Sequence, residues 1–495
     1  MGKVSVGLFS SINQQPKIKP DYSDICIPPN IAPLNFFIKE KGNYFYVKIY
    51  SKNGKPLEIS GNNPKIIIPQ KQWHGLLNAN KNQNLYFDIF VKNENIWNKY
   101  LTIVNKIAAE PIDDFLVYRR LPPYQNYWKE IEIFQRNLTN FDGSPVLKND
   151  RFDFGCINCH TFLNNQPDKA LYLIRSDTYG TPTLLVSDSN AQKINTKFTY
   201  SCWHPSGRLI TFSANSIILF FHSLKQEVRD VLDTDSLLAY YTIGSNKIKT
   251  IPDLSKKEFL ETYPAWSPDG RYLYFCRAQK LWPANTEIPP QQFDKVKYDL
   301  LRISYDITQD KWGEAETVLS SEETGLSISL PRISPDGRWL LFCMADYGCF
   351  NVYNQTSDLY LMDLNELNQS SPRRFTKLSV NSDSSESWHC WSSNSRWIVF
   401  SSKRDYGTFT KPYISYVDKD GIALKPFIMP QKDPLFYDSS MLACNTPELV
   451  KGPVKFSNYD LADLIRSEHK ITADMPITMA TPKTGPATEP YKTRE

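Results

Sequence analysis

The sequence has no uninterrupted apolar run that approaches the about 18 to 20 residues of a membrane-spanning helix. It also has no long run of basic residues, because 57 Lys and Arg balance 53 Asp and Glu for a formal net charge of +4. These absences argue against a transmembrane segment and against an extended nucleic-acid-binding surface. We therefore expect neither a membrane span nor nucleic acid as a partner.

Several catalytic signatures are missing as well. The chain has no Gly-x-Ser-x-Gly nucleophile elbow, no Gly-x-Gly-x-x-Gly loop and no Gly-x-x-x-x-Gly-Lys-[Ser/Thr] loop. A hydrolase domain and a nucleotide-binding loop are excluded on this basis. The sequence predicts no catalytic residue and does not favour an enzyme.

The N-terminus lacks the pattern of a signal peptide. Residues 1–15 contain one lysine, and their apolar stretch, Val4 to Phe9, is shorter than the about 7 to 15 residues of a signal-peptide core. The first residues are polar and contain proline. We predict that 1–24 form a flexible leader.

The rest of the chain has a composition typical of β-rich globular proteins, with 41% hydrophobic and 13% aromatic residues over 495 positions. Short aromatic and β-branched runs such as Tyr44–Tyr50 are separated by turn signals between 25 and 111. This spacing predicts an all-β fold that starts with an immunoglobulin-like sandwich over 25–111. A connecting segment over 112–165 follows, in which the spacing of apolar residues in Tyr124–Leu138 predicts a helix.

An internal repeat occupies the C-terminal two-thirds. Each copy combines an aromatic or apolar residue with a Ser-Pro-Asp-Gly-Arg-like turn, and an apolar strand comes next. The copies are Trp203–Arg208, Trp266–Arg271, Ile333–Arg338 and the degenerate Trp391–Arg396. Their spacing predicts a five- or six-bladed β-propeller over 166–450. For 451–495 we predict a helix at Tyr459–Glu468 and a disordered tail.

One motif in the sequence predicts a cofactor-binding site. Cys156-Ile157-Asn158-Cys159-His160 is CxxCH, the spacing at which two thiols attach a haem covalently and the histidine ligates its iron. The motif therefore predicts a single haem c held by Cys156, Cys159 and His160. A CxxC redox pair, a zinc half-site and a disulfide brace are the alternatives, and the chain contains no second CxxC and no HxxxH.

A sixth iron ligand would decide between electron transfer and ligand binding. His389 replaces Pro264 and Pro331 of the sister repeats and precedes a blade signature, so it lies on a strand expected to be innermost. We take His389 as the candidate distal iron ligand, together with His160 as the metal-binding residues.

The repeats resemble the TolB-like propeller, and the combination with a sandwich-like start, CxxCH and Ser387-Trp388-His389 resembles a family of Gram-negative envelope proteins of TolB-like or cytochrome c type. This resemblance implies a periplasmic or outer-membrane-associated protein, although no signal peptide is evident. It also implies one haem site, with attachment at Cys156 and Cys159 and iron bound by His160.

Two functions remain open. The first is an envelope c-type haem protein in which the propeller scaffolds one haem for electron transfer or ligand sensing, with a redox partner. The second is a haem-free propeller scaffold for protein-protein interaction in the periplasm or outer membrane.

Overall fold

The computed structural model describes residues 6–94, 96–122, 130–221, 229–254, 256–283, 291–367 and 375–474. Strands dominate these residues, so the predicted all-β class is confirmed. The α-helices are short: α1 Gln70–Asn78, α2 Ser321–Thr324, α3 Phe436–Ser439 and α4 Asn458–Arg466. Single 3₁₀ turns lie at Asn149–Arg151, Leu163–Asn165, Pro252–Leu254, Phe293–Lys295, Asn351–Tyr353 and Leu364–Glu366.

The described part of the N-terminal region contains ten strands in two sheets. They are β1 Phe9–Ser11, β2 Ile18–Lys19, β3 Cys26–Ile27, β4 Phe36–Ile38, β5 Tyr44–Tyr50, β6 Leu57–Gly61, β7 Lys65–Ile66, β8 Asn84–Asn93, β9 Ile96–Lys99 and β10 Ile103–Ile107. A seven-stranded sheet has the order β1-β9-β8-β10-β3, with β5 paired to β8 and β6 to β5, and a second sheet has the order β2-β4-β7. The predicted strand Tyr44–Tyr50 is confirmed as β5, whose side chains alternate between buried and half-buried.

These two sheets share one core. Phe36 of the small sheet packs edge-on against Phe87 of the large sheet, with ring centroids 6.1 Å apart. Helix α1 adds the fully buried Trp73, whose indole N–H donates to the carbonyl oxygen of Ile31 at 2.9 Å. The expected leader contains β1, which pairs with β9, and β2, which pairs with β4.

The remaining strands form four-stranded antiparallel meanders, two of which join into one eight-stranded sheet through a parallel pairing of Ser236 with Leu260. In chain order they are β11 Phe115–Leu121, β12 Glu132–Asn137 and β13 Gly143–Lys148; β14 Cys156–Phe162, β15 Lys169–Arg175, β16 Thr183–Ser187 and β17 Asn190–Ile194; β18 Thr199–Trp203, β19 Leu209–Phe221, β20 Arg229–Thr242 and β21 Lys247–Thr250; β22 Phe259–Trp266, β23 Tyr272–Gln279, β24 Asp299–Asp306 and β25 Lys311–Leu319; β26 Ser327–Ile333, β27 Trp339–Ala345, β28 Asp358–Asp363 and β29 Phe375–Lys377; β30 Glu386–Trp391, β31 Trp397–Ser402, β32 Lys411–Tyr416 and β33 Phe427–Ile428; and β34 Ala443–Val450.

The last strand joins the first meander. Strand β34 pairs antiparallel with β11, which gives the sheet β13-β12-β11-β34. The strands β14, β18, β22, β26, β30 and β34 contact one another in this order, and β34 also contacts β14. The sheets therefore form a closed, propeller-like ring in which these six strands, called here the inner strands, surround an axis.

The repeated motif forms the predicted hairpin turn. In the copy between β22 and β23, the hydroxyl of Ser267 donates to Asp269 at 2.6 Å, and the same carboxylate accepts the backbone N–H of Arg271 at 3.0 Å. Gly270 adopts a φ of 71°, which its missing side chain permits. This turn returns the chain from an inner strand to the next strand of the same meander.

The predicted helix over Tyr124–Leu138 is wrong where the chain is described. Residues 123–129 lie outside the described ranges, and Glu132–Asn137 is strand β12, paired with β11 and β13. Within this strand Ile133 and Gln135 are buried and two residues apart, which is the period of a strand. The C-terminal helix is present as α4, and its N-terminus is capped by Ser457 and Asp460.

The tail predicted after this helix is described only as far as Asp474. Two short bridges are formed there, between Ile471 and Ile194 and between Asp474 and Lys247. The rest of the tail, 475–495, lies outside the described residues. None of the helices in the described part of the chain has the length and hydrophobicity required to cross a bilayer.

Candidate functional site

The inner strands carry β-bulges at equivalent positions. The pairing register shifts after Ile157, Thr199, Thr262, Ser329 and Ser387, and opposite β34 it shifts after Val117. Non-glycine residues adopt left-handed φ at these points: Tyr200 (45°), Tyr263 (52°), Leu330 (53°), Trp388 (45°) and Thr446 (49°). Strained backbone of this kind collects at functional sites, and a bulge redirects the side chains around it.

A small cavity lies where these bulges meet. Its volume is about 50 Å³, and every inner strand contributes to its wall. Its wall contains the polar side chains of His160, Arg332, His389, Thr446 and Glu448, beside tyrosine, tryptophan and proline. A water molecule needs roughly 10–15 Å³ on this measure, so the cavity holds a few water-sized groups.

Three aromatic rings pack together on one part of the wall. The ring of Tyr200 lies 4.5 Å from that of Tyr263 and 6.2 Å from that of Trp388, and Tyr263 and Trp388 are 6.1 Å apart. The hydroxyl of Tyr263 donates to the carbonyl oxygen of Cys349 at 2.9 Å, which fixes the ring. This aromatic cluster forms part of the cavity wall.

The charged pair in the cavity consists of Arg332 and Glu448. Arg332 Nη2 donates to Glu448 Oε1 at 2.8 Å, and 35% of the arginine side chain is exposed, against 13% of the glutamate side chain. Burial raises the pKa of Glu448, and the arginine acts against this shift. Only one guanidinium nitrogen of Arg332 binds the carboxylate, so the other N–H groups remain available to a ligand.

His160 is buried and neutral. Its Nε2 lies 3.4 Å from the carbonyl oxygen of Val117, so this nitrogen carries the proton, and Nδ1 has no hydrogen-bond partner in the protein. Burial lowers its pKa to about 3, and the charges of Arg119 and Arg332 act in the same direction. The ring therefore presents an acceptor nitrogen at physiological pH.

His389 lies on the same cavity but has both ring nitrogens engaged. Its Nε2 donates to the carbonyl oxygen of Leu341 at 3.1 Å, and Nδ1 lies 3.7 Å from the thiol of Cys343. Burial lowers its pKa to about 3. The structure thus places both predicted histidines at one site, and only His160 keeps an unpartnered nitrogen.

The two cysteines of CxxCH are separated by the bulge of β14. Cys159 is half-buried and lines the cavity, whereas Cys156 is buried in a separate apolar core with Phe152 and Ile174. Both are free thiols. Burial raises the pKa of Cys156.

These residues do not fit a covalently held haem. Attachment requires both thiols to reach one macrocycle, but only Cys159 faces the cavity, and the cavity has room for a few water-sized groups rather than a porphyrin. Within the described ranges, no three or more His, Cys, Asp or Glu side chains come together in an arrangement that could hold a metal ion. Haem binding therefore remains a prediction from the CxxCH motif. The geometry of the cavity does not support that prediction.

Sequence reasoning missed Arg332, Glu448 and the aromatic cluster. A signal for Arg332 was present, because it immediately precedes Ile333 of the third repeat, whereas Cys202, Ala265 and Cys390 precede the other copies. No such signal exists for Glu448, since its strand β34 carries no repeat motif.

A second buried polar cluster involves Asp233. Its carboxylate accepts from Asn215 Nδ2 at 3.1 Å and from the thiol of Cys349 at 3.8 Å, while Lys197 donates to the carbonyl oxygen of Asn215 at 3.1 Å. Burial raises the pKa of Asp233 to about 7 and lowers that of Lys197 to about 8. These groups bind one another, and we assign them no ligand.

Comparison with known proteins yields no family model that matches the chain and no match among curated proteins. Among solved structures the similar chains are propeller and other β-rich proteins. Puromycin hydrolase matches with 12% identity and a TM-score of 0.36, over 63% of this chain and 45% of that one. The tricorn protease matches with 11% identity and a TM-score of 0.34, over 80% and 38%.

A third similar structure is the oligogalacturonate lyase from Vibrio parahaemolyticus, with 9% identity, a TM-score of 0.32 and coverage of 62% of this chain and 92% of that one. The chain spans less than half the length of puromycin hydrolase. At these TM-scores the similarity establishes neither a family nor a function for this chain.

Proposed function

We propose that the protein is a six-bladed TolB-like propeller that acts as a haem-free binding scaffold in the cell envelope. The ring of six inner strands and its closure by β34 on β11 support the blade count. The two facing sheets joined through Phe36 and Phe87 support an immunoglobulin-like class for the N-terminal region. The envelope location rests on the resemblance of the repeats and of the CxxCH region to envelope proteins.

The observation that carries this proposal is the cavity itself. It is built by all six inner strands, is lined by the partly exposed Arg332 and the buried His160, and has a volume of about 50 Å³. Such a cavity suits a small polar group that a partner inserts into the axis, and it does not suit a porphyrin.

A comparison of partners tests the scaffold function. Wild-type protein and the double variant Arg332→Gln/Glu448→Gln, which removes both charges and keeps hydrogen-bonding groups, are used to capture proteins from envelope extracts of the source organism. We expect a captured protein that the double variant loses and that the control Arg271→Gln, at an exposed turn, retains. Identical capture by all three proteins would contradict binding at the cavity.

The second candidate is the c-type haem protein. It is favoured by the CxxCH spacing and by the convergence of His160 and His389 on one cavity. A haem-stained denaturing gel of protein made with an export leader and the haem maturation machinery tests it, with Cys156→Ala/Cys159→Ala as the control. We expect no stain; a stain that the control loses would replace the scaffold proposal.

A further inference from the structure

The outer face of the large N-terminal sheet is rich in aromatic side chains. In β5 every second residue is buried in the core, and Tyr44, Tyr46 and Tyr50 point to the opposite face, where each is half-buried. Their direct partners Phe90 and Tyr86 of β8 lie on the same face, opposite Tyr46 and Tyr50. The side of an antiparallel sheet that faces away from the core is ordinarily polar. The aromatic residues on this side are therefore not required by the sandwich core.

Two further strands extend this face. Tyr44, Lys92, Trp97 and Phe9 form one row across four strands, because each is paired directly with the next. The ring of Tyr44 lies 6.1 Å from that of Trp97, and the ring of Phe9 lies 5.5 Å from that of Phe90. The aromatic side chains of β1, β5, β8 and β9 on this side, called here the outer aromatic face, thus form a layer outside the core.

The outer aromatic face is turned away from the propeller. The small sheet packs on the core side of the large sheet, through Phe36 and Phe87. The N-terminal region contacts the propeller through this small-sheet side, where Lys65 of β7 pairs with Asp433 at 2.9 Å. Phe9, on the outer aromatic face, is 47% exposed. The face is therefore open to a ligand.

The charged side chains at the centre of this face balance one another. Lys48 is paired in register with Glu58 on one side and with Asp88 on the other. Lys99 Nζ lies 3.4 Å from Asp88 Oδ1. Two lysines thus oppose two carboxylates. The core of a protein interface is depleted of charged residues, so this arrangement does not favour a protein partner.

A nucleic acid does not fit this face either. Single-stranded nucleic acid stacks its bases on aromatic rings, but it also needs a continuous basic track for its phosphates. The further lysines, Lys92 and Lys106, lie at opposite ends of β8, and Lys106 is opposite Asn84. Glu58 and Asp88 lie between them and would repel phosphate groups.

A sugar matches both kinds of group on the face. The C–H groups on one side of a pyranose ring pack against the electron-rich face of an aromatic ring, and its hydroxyl groups exchange hydrogen bonds with tyrosine, carboxylate and ammonium groups. Tyr44 and Tyr50 are about 20 Å apart along β5, at ~3.4 Å per residue. This length exceeds one sugar ring and suits several consecutive units.

We propose that the outer aromatic face binds a neutral polysaccharide, with pyranose rings stacked on Tyr44, Tyr46, Tyr50 and Tyr86. Lys48 and its acidic neighbours bind the hydroxyl groups between the rings. This site is separate from the axial cavity and goes beyond the scaffold function. Partner capture that depends on Arg332 and Glu448 stands or fails independently of it.

Affinity electrophoresis of the full chain in native gels tests the proposal. Hydroxyethylcellulose, xylan and dextran are the neutral probes, and polygalacturonate and single-stranded polythymidylate are the anionic probes. We expect at least one neutral polysaccharide to retard the protein, in high salt as well as in low salt, because stacking does not depend on charge. Retardation by none of the neutral probes, or by an anionic probe alone, would overturn the proposal.

Variants tie the retardation to the face. Tyr44→Leu/Tyr46→Leu and Tyr50→Leu/Tyr86→Leu keep apolar side chains but remove the rings, and each should weaken binding about ten- to hundredfold. Tyr459→Leu, the same change at a 60% exposed position of α4, should bind like the wild type. Binding that survives in both double variants would overturn the proposal. Circular dichroism checks their folding; where a double variant does not fold, its two single variants replace it, with about two- to tenfold weakening each.

Discussion

At the scale of single residues, the neutral, buried histidines of the cavity make the folded protein less stable at acidic pH. His389 is buried, has both nitrogens engaged and takes a proton only near pH 3, because burial disfavours its charged form. In the unfolded chain the same imidazole titrates near its ordinary pKa of 6.5. Unfolding below pH 6.5 therefore takes up a proton, and stability is lost as the pH falls from 6.5 towards 3.

This sign gives a prediction for His389→Gln, a variant that cannot titrate. Between pH 7 and pH 5 the wild type should lose about 2 kcal/mol more of its free energy of unfolding than the variant does. Asp233 and Glu261, whose pKa values burial raises to about 7, act in the opposite direction but equally in both proteins. Urea unfolding at the two pH values measures the difference, and parallel pH dependences would contradict it.

Residue-level reasoning from the sequence found half of the site. The CxxCH spacing indicated Cys159 and His160. The presence of histidine at 389, where the sister repeats have proline, indicated His389. All three residues line the cavity. The grouping with Cys156 could not be judged from spacing. A β-bulge after Ile157 places Cys156 and Cys159 in different surroundings. The residue types around it do not predict that bulge.

At the scale of elements, the repeated turns connect neighbouring meanders as well as neighbouring strands. His204, in the first turn, places its Nε2 3.1 Å from the carbonyl oxygen of Gly270, in the second turn, and its Nδ1 2.8 Å from the hydroxyl of Ser206. The ring is buried and packs against Trp266. The histidine in the turn therefore has a structural role between two meanders.

Two glycines allow this contact to be measured. A side-chain carbon added at Gly270 would lie 2.5 Å from His204 Nε2, whereas at Gly337 it would meet no atom within 4 Å, and both residues have left-handed φ, at 71° and 78°. Gly337→Ala should cost about 1–2 kcal/mol for the backbone conformation. Gly270→Ala should cost roughly 1–3 kcal/mol more, because the buried ring must move.

Urea unfolding of the two variants and the wild type tests this comparison. Gly337→Ala is the matched control, since it carries the same backbone penalty without the clash. Equal losses of stability in both variants would show that His204 does not constrain the junction.

At the scale of elements, the sequence predicted the meanders that contain the repeat motif but not the one that closes the ring. The repeat motif indicated the meanders that it starts, because each turn is encoded within six residues. The meander of β11, β12, β13 and β34 has no such turn, and the pairing that closes it joins Val117 of β11 to Glu448 of β34, which are far apart in the chain. A single sequence does not encode a long-range pairing of this kind in any local pattern.

At the scale of the whole molecule, the N-terminal region and the propeller share buried polar contacts. Asn35, in the N-terminal region, is 1% exposed, and its Nδ2 donates to the carbonyl oxygen of Lys432 at 3.0 Å. The indole N–H of Trp397 in β31 donates to the carbonyl oxygen of Glu110 at 3.1 Å. One apolar cluster also runs from Ile18 in the N-terminal region to Leu449 in the closing strand.

A continuous core predicts that both regions unfold together. Tryptophan fluorescence and far-ultraviolet circular dichroism should follow one urea transition with a common midpoint. Asn35→Leu leaves the carbonyl oxygen of Lys432 and the backbone N–H of Ile68 without their partner, so the whole transition should move to lower urea by a loss of about 3 kcal/mol. Lys65→Gln breaks the exposed ion pair with Asp433 across the same boundary and should cost less than about 1 kcal/mol. Two separate transitions in the wild type, or a shift of only one probe in Asn35→Leu, would mean that the regions are independent domains and that the shared cluster does not couple them.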